Sequence, residues 1–216
     1  MGAVTIGVDL GQMQSPTAIA VVETEVRRDE GRPEVYHIAR RLERLPVGTS
    51  YPDAAARLRE IVRGLDDRGV GYALYADATG IGQPVVDLVA REARVNITPV
   101  YFTHGDRRQE QDDGTLTVGK GWLVSLLQTL LQTHTLLLPR TPEAEILAEE
   151  LLAYEVTPAP QANDTYGAFV VGTQDALLTA LGLAVQPRKP VVGVWFPGEG
   201  VSGGWGRPLE RRSRLF

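Results

Sequence analysis

The chain contains no cysteine. That absence excludes disulfides and thiolate metal sites. Histidine is scarce: His37, His104 and His134 are scattered along the sequence, so an all-nitrogen zinc site is not expected. Any bound metal would have oxygen ligands, which suits magnesium or manganese. Lysine almost vanishes, with two residues against twenty arginines, a bias for which GC-rich coding is the plain explanation and thermophily the alternative. A positive balance is missing as well. The net charge is -5, whereas proteins that hold DNA by themselves are usually basic because counterion release drives their binding. Nucleic acid is therefore expected to bind weakly, or only at a local basic face. Long apolar runs are also absent. The opening apolar stretch is short and has no basic leader, and the best apolar helix, near 122–131, is interrupted by Ser125, Gln128 and Thr129. No secretion signal or membrane span is expected, and the cytoplasm is the expected site of action.

At 216 residues, 43% hydrophobic and 23% charged, the chain suits one soluble domain with a tail. Residues 3–9, 17–24 and 34–43 read as strands. Residues 52–68 read as a helix, with Pro52 in its first turn and Ala55, Leu58, Ile61, Val62 and Leu65 at helical spacing. A strand over 72–77, a helix from Gln83 to Arg94 and a strand over 97–102 follow. The polar segment 104–116 reads as an exposed loop. Further along come a helix over 118–132, a short strand near 135–138, a helix from Pro142 to Tyr154, a hairpin over 155–171 and a last helix over 173–186. This order predicts a mixed α/β sheet, with an antiparallel three-strand meander followed by parallel strands joined through crossover helices. The domain is expected to span 1–187 and a flexible tail 188–216.

Three aspartates stand where apolar runs meet turns or a helix start. Asp9 ends Val4–Val8 and precedes Leu10-Gly11. Asp77 ends Tyr72–Ala76 and precedes Ala78-Thr79-Gly80-Ile81-Gly82. Asp175 opens Ala176–Leu181. Each has an ordinary reading: a turn former before glycine, a turn cap, or an acid complementing a helix dipole. The predicted strand order brings Asp9 and Asp77 to the same end of neighbouring parallel strands, where sites in open sheets usually form. Carboxylates that converge there repel one another unless cations neutralise them, which is the logic of a metal-dependent phosphodiester-cleaving site.

The order of elements and the three acids resemble the RNase H-like, or retroviral-integrase-like, nuclease superfamily. The nearer likeness is to the C-terminal nuclease domain of the large terminase subunit of tailed bacteriophages. It is carried by Gly7–Gly11, Asp77–Gly82, Val118-Gly119-Lys120 with Leu123-Val124 and Leu130-Leu131, and Tyr166 followed by Asp175–Ala184. The resemblance implies an RNase H-like mixed sheet of five or more strands flanked by helices, with the 155–171 segment as an auxiliary β-hairpin near the DNA path. It implies an endonuclease that cuts concatemeric double-stranded viral DNA during genome packaging in the host cytoplasm, with little sequence preference. Two divalent cations, Mg2+ or Mn2+, would be held by Asp9 bridging both, Asp77 on one and Asp175 on the other. A packaging ATPase domain, a portal and a small terminase subunit are the implied partners. Where the family often has a histidine, sometimes with a second acid, before the third aspartate, this chain has Thr173-Gln174. Its sequence opens directly on the first nuclease-like strand, which fits an excised domain and a standalone homologue alike.

Other features are less specific. Gly114–Gly121 nearly spells a phosphate-binding loop, but Gly121 lacks the hydroxyl that magnesium needs there. Lys120 reads either as a lysine facing phosphate or the acids, or as a surface lysine. Arg107 and Arg108 are candidate DNA contacts, as are Arg211, Arg212 and Arg214 for DNA or a partner, though charge runs are usually only solvated. Trp195 and Trp205 are candidate docking residues. Glu143, Glu149, Glu150 and Asp164 read as solvated acids. Three further readings compete: a Holliday-junction-resolvase-like nuclease, an actin-like ATPase fragment built on the Asp9-Leu10-Gly11 turn, and a non-catalytic docking module.

Overall fold

The computed structural model describes residues 2–11, 14–29, 32–103, 107–112, 114–153 and 175–186. The expected hairpin at 155–171 with its tip Gln161–Asp164, Tyr166, the Thr173-Gln174 pair, His104 and the tail from 188 with its tryptophans and arginines lie outside the described residues. Among the described residues, eight strands form one sheet in the order β6-β7-β5-β4-β1-β2-β3-β8. β1 (Ala3–Asp9), β2 (Ala18–Asp29) and β3 (Arg32–Arg44) form the antiparallel meander. β4 (Tyr72–Asp77) pairs parallel with β1, and β5 (Thr98–Thr103) pairs parallel with β4. β6 (Arg108–Glu110) and β7 (Leu116–Gly119) extend one edge, and β8 (Leu136–Leu137) extends the other.

Two of these strands correct the expected 104–116 loop. β7 runs parallel to β5 and buries Leu116 and Val118, and β6 pairs antiparallel on its outer side. β6 is Arg-Gln-Glu on the sheet edge. It is held by backbone bonds, so its side chains carry no apolar alternation to read. The next helix, α3 (Lys120–Gln132), consequently starts two residues later than expected, because Val118 and Gly119 belong to β7.

The helices divide between the two faces. α1 (Tyr51–Asp66) and α2 (Gln83–Ala93) cover the face carrying Val4, Ile6, Val8, Ile19 and Leu74. α1 starts where Ser50 accepts a bond from Asp53 N and donates one to Asp53 Oδ2, a reciprocal cap. α3, α4 (Pro142–Ala153) and α5 (Ala176–Ala184) cover the other face, with Ala18, Ala20, Leu42 and Val100. Every residue of α5 is buried. It touches β1, β2, β3 and β4, as well as α3 and α4.

Gly7 makes that seating possible. A Cβ at Gly7 would stand 2.0 Å from Ala180 O and 2.7 Å from Ala184 N. With no side chain there, α5 lies directly on β1 two residues below Asp9. Gly7→Ala is expected to cost about 3 kcal/mol, the upper range of core overpacking, because the clash is with helix backbone. Thermal unfolding should show a drop of several degrees, and an unchanged melting temperature would mean that α5 can back away freely. No helix among the described residues is long and apolar enough to cross a membrane.

Candidate acidic site

Residues paired across strands present their side chains on the same face. Val8 is opposite Ala76, so Asp9 and Asp77 follow side by side at the carboxyl ends of β1 and β4. Asp9 is also opposite Ala18, Ala18 is opposite Arg44, and Asp77 is opposite Val100. One row across the sheet therefore reads Val100, Asp77, Asp9, Ala18, Arg44, on the face covered by α5.

The turn after β4 fixes Asp77. Its Oδ1 accepts from Thr79 N at 2.7 Å, and Thr79 Oγ1 accepts from Phe102 N at 2.7 Å. Burial raises the Asp77 carboxyl above the ordinary range, against the Thr79 bonds and the Lys120 charge, which lower it. Asp9 is raised well above that range. Burial is the main cause, followed by repulsion from Asp77, with Lys120 opposing and Asp175 and Glu150 adding to it. Its solvent exposure is intermediate, yet protein encloses most of the carboxylate, and that enclosure governs its ionisation.

Asp175 stands at the N-cap position of α5, but its side chain makes no capping bond. Its Oδ2 instead accepts from Lys120 Nζ at 2.9 Å. The same ammonium donates to Thr179 Oγ1 at 3.4 Å and lies 4.9 Å from the centroid of the Phe102 ring. Lys120 is the first residue of α3, so the start of that helix delivers a cation to the acids. The structure thus brings Asp9 and Asp77 together, while Asp175 is paired with Lys120. Among the described residues, no three acidic or histidine side chains are grouped closely enough to hold an ion.

Arg107 and Arg108 lie on the outer edge, at the same end of the sheet, with β7 and β5 between them and β4. Arg107 is exposed, while Arg108 Nε donates to Gln186 Oε1 at 3.2 Å beyond the end of α5. Glu149 is exposed as expected, but Glu150 is not a solvated acid: it is 8% exposed. Its Oε2 accepts from Leu178 N at 2.8 Å, and burial pushes its carboxyl up to about 7 in spite of that bond and of Arg44. The sequence signal was helical spacing. Glu150 follows the fully buried Leu147 by three residues, on the face of α4 that meets α5.

This is the RNase H-like fold: a mixed sheet with the antiparallel meander first, parallel strands next, and helices on both faces. The nuclease domain of the large terminase (g2p) of bacteriophage SPP1, solved with bound Mn, has a similar structure, with a TM-score of 0.50 and 14% identity over 84% of each chain. RuvC of Thermus thermophilus also matches, alone and in complex with a Holliday junction substrate. Both RuvC structures are 15% identical over 83% of this chain and 91% of theirs, with TM-scores of 0.33 and 0.30. No protein-family model and no curated protein matches the sequence.

Proposed function

We propose that this chain is a metal-dependent endonuclease that cleaves double-stranded DNA at Asp9, Asp77 and Asp175. The observation that carries the reading is the pairing of Asp9 and Asp77 on adjacent parallel strand ends, beneath a helix start that bears Asp175. Burying two carboxylates side by side is costly, and their raised proton affinity is the sign of that cost. The donor set suits a hard divalent cation, since it is made of carboxylate oxygens in a chain without cysteine.

Asp9 would be shared between two ions, with Asp77 and Asp175 each completing one. Bound Mg2+ or Mn2+ would activate a water and stabilise the leaving oxygen. The chain's own residues then have distinct tasks. Thr79 holds the Asp77 carboxylate in one orientation. Lys120 balances Asp175, and its ammonium would be available to a phosphate brought to the acids. Arg107 offers an exposed charge along the same end of the sheet for the duplex backbone. The overall charge of -5 fits a nuclease that receives its DNA from partners. In a packaging setting those partners would be an ATPase motor domain, a portal and a small terminase subunit, acting on concatemeric phage DNA in the host cytoplasm.

Incubation with linear duplex DNA and Mg2+ or Mn2+ tests the reading. Cleavage is expected with little sequence preference. EDTA should stop it, and Asp77→Ala should lower it by at least ~100-fold, the scale of losing one electrostatic contact to a transition state. The proposal fails if Asp77→Ala cuts at the wild-type rate, or if no divalent ion supports cleavage. A strong preference for four-way junctions over linear duplex would replace the packaging substrate with a recombination intermediate.

A further inference from the structure

Asp175 stands at the N-cap position just before α5, yet its carboxylate does not cap the helix. An aspartate at that position ordinarily accepts a bond from the amide two or three residues on, with its own backbone extended. Here φ is -118° and ψ is 26°, outside the extended region. The amide three residues on, Leu178 N, donates to Glu150 Oε2 from α4. Two carboxylates are therefore within the logic of one amide, and the distant one has it. The local one, Asp175, is turned to Lys120.

The arrangement is costly in itself. Glu150 Oε1 is buried with no partner among the described residues, and an apolar side chain on that face of α4 would avoid the penalty. A buried acid that leaves one oxygen unpaired needs a reason, and the bond to Leu178 N supplies one. We propose that Glu150 is a positioning residue: it caps α5 from α4 and so frees the Asp175 carboxylate for the acidic site. The inference rests on the reading of Asp175 as a metal ligand. It assigns Glu150 no contact with metal or substrate.

The test compares Glu150→Ala with Glu150→Gln in the full chain. Glutamine keeps an oxygen for Leu178 N and alanine removes it. In a metal-free crystal structure of Glu150→Ala, the Asp175 carboxylate is expected on Leu178 N, with the Lys120 pair broken. Mn2+ titration followed by electron paramagnetic resonance should show affinity at least ~10-fold weaker in Glu150→Ala, and within ~3-fold of wild type in Glu150→Gln; a tenfold change is 1.4 kcal/mol. Asp175 still paired with Lys120 in Glu150→Ala, at wild-type Mn2+ affinity, overturns the proposal. So does an equal loss in Glu150→Gln, which would mean that the charge of Glu150 acts directly. If Glu150→Ala does not fold, a tenfold loss of Mn2+ affinity in Glu150→Gln still overturns the proposal. If wild type neither binds Mn2+ nor cuts DNA, the nuclease reading fails, while the metal-free structure still decides the cap.

Discussion

Asp9→Asn is expected to abolish metal-dependent cleavage and, in the absence of metal, to raise the melting temperature. The two effects have one cause. The folded state raises the Asp9 carboxyl well above its ordinary range, first through burial and then through Asp77. Above the ordinary carboxylate range the group therefore opposes folding, since the unfolded chain solvates the charge freely. Asparagine keeps the shape and removes the charge. Repulsion at the carboxyl ends of β1 and β4 falls, and the metal-free protein gains stability. In the same step the ligand expected to be shared between two ions is lost, and cleavage should fall by ~1000-fold or more, beyond the loss from one electrostatic contact. An aspartate that served only the turn before Gly11 would behave oppositely. Its replacement would lower stability by about 1 kcal/mol and leave chemistry intact. Asp77→Asn should gain less stability than Asp9→Asn, because the Thr79 bonds already offset part of the cost there. Melting curves in EDTA and cleavage assays in Mn2+ check both halves. A destabilised and fully active Asp9→Asn would refute the site.

The parts of this fold that the sequence revealed are those whose side chains alternate against a core. Val4, Ile6 and Val8 mark β1, and Ala55, Leu58 and Val62 mark α1, because burial on one face forces the period. The pairing of Asp9 with Asp77 followed from strand order alone, as both are the last residues of neighbouring parallel strands, with β2, β3 and α1 between them in the chain. β6 was hidden because an edge strand is defined by backbone pairing, and Arg108–Glu110 carries no pattern. The Lys120–Asp175 pair joins residues 55 positions apart, so no local window contains it. Glu150 was misread for a related reason. Its neighbour Glu149 is exposed, and two adjacent glutamates look like one solvated face until α5 is laid against α4. Gly7 gave no warning either, since its role appears only with the Ala180 carbonyl above it.

Metal-free protein is expected to lose stability as pH rises from about 4.5 to about 7, and divalent cations should reverse the trend. Glu150 titrates at about 7 in the folded state against an ordinary 4.5. Between those values the folded protein keeps a proton that the unfolded chain has released, so raising the pH favours unfolding. Full ionisation of this one group costs about 3 kcal/mol. Asp9 and Asp77 are raised too and act in the same direction. The groups around Glu150 enter that balance with opposite signs: Arg44 and the Leu178 amide favour its charge, while Asp175 opposes it. His37 works against the trend. Burial lowers it, so its share of stability is lost as pH falls below the ordinary 6.5. Glu150→Gln isolates the Glu150 contribution. Its absolute stability includes a buried amide NH2, so the slope against pH is the quantity to compare. Denaturant midpoints from pH 4.5 to 8 should fall more steeply in wild type than in Glu150→Gln, by about 3 kcal/mol over the range. Equal slopes would mean that Glu150 ionises elsewhere. With millimolar Mn2+ the wild-type curve should instead rise with pH, because cations bind the deprotonated acids and thereby stabilise the folded state that presents them. A wild-type curve that Mn2+ leaves unchanged would separate these buried carboxylates from any metal chemistry.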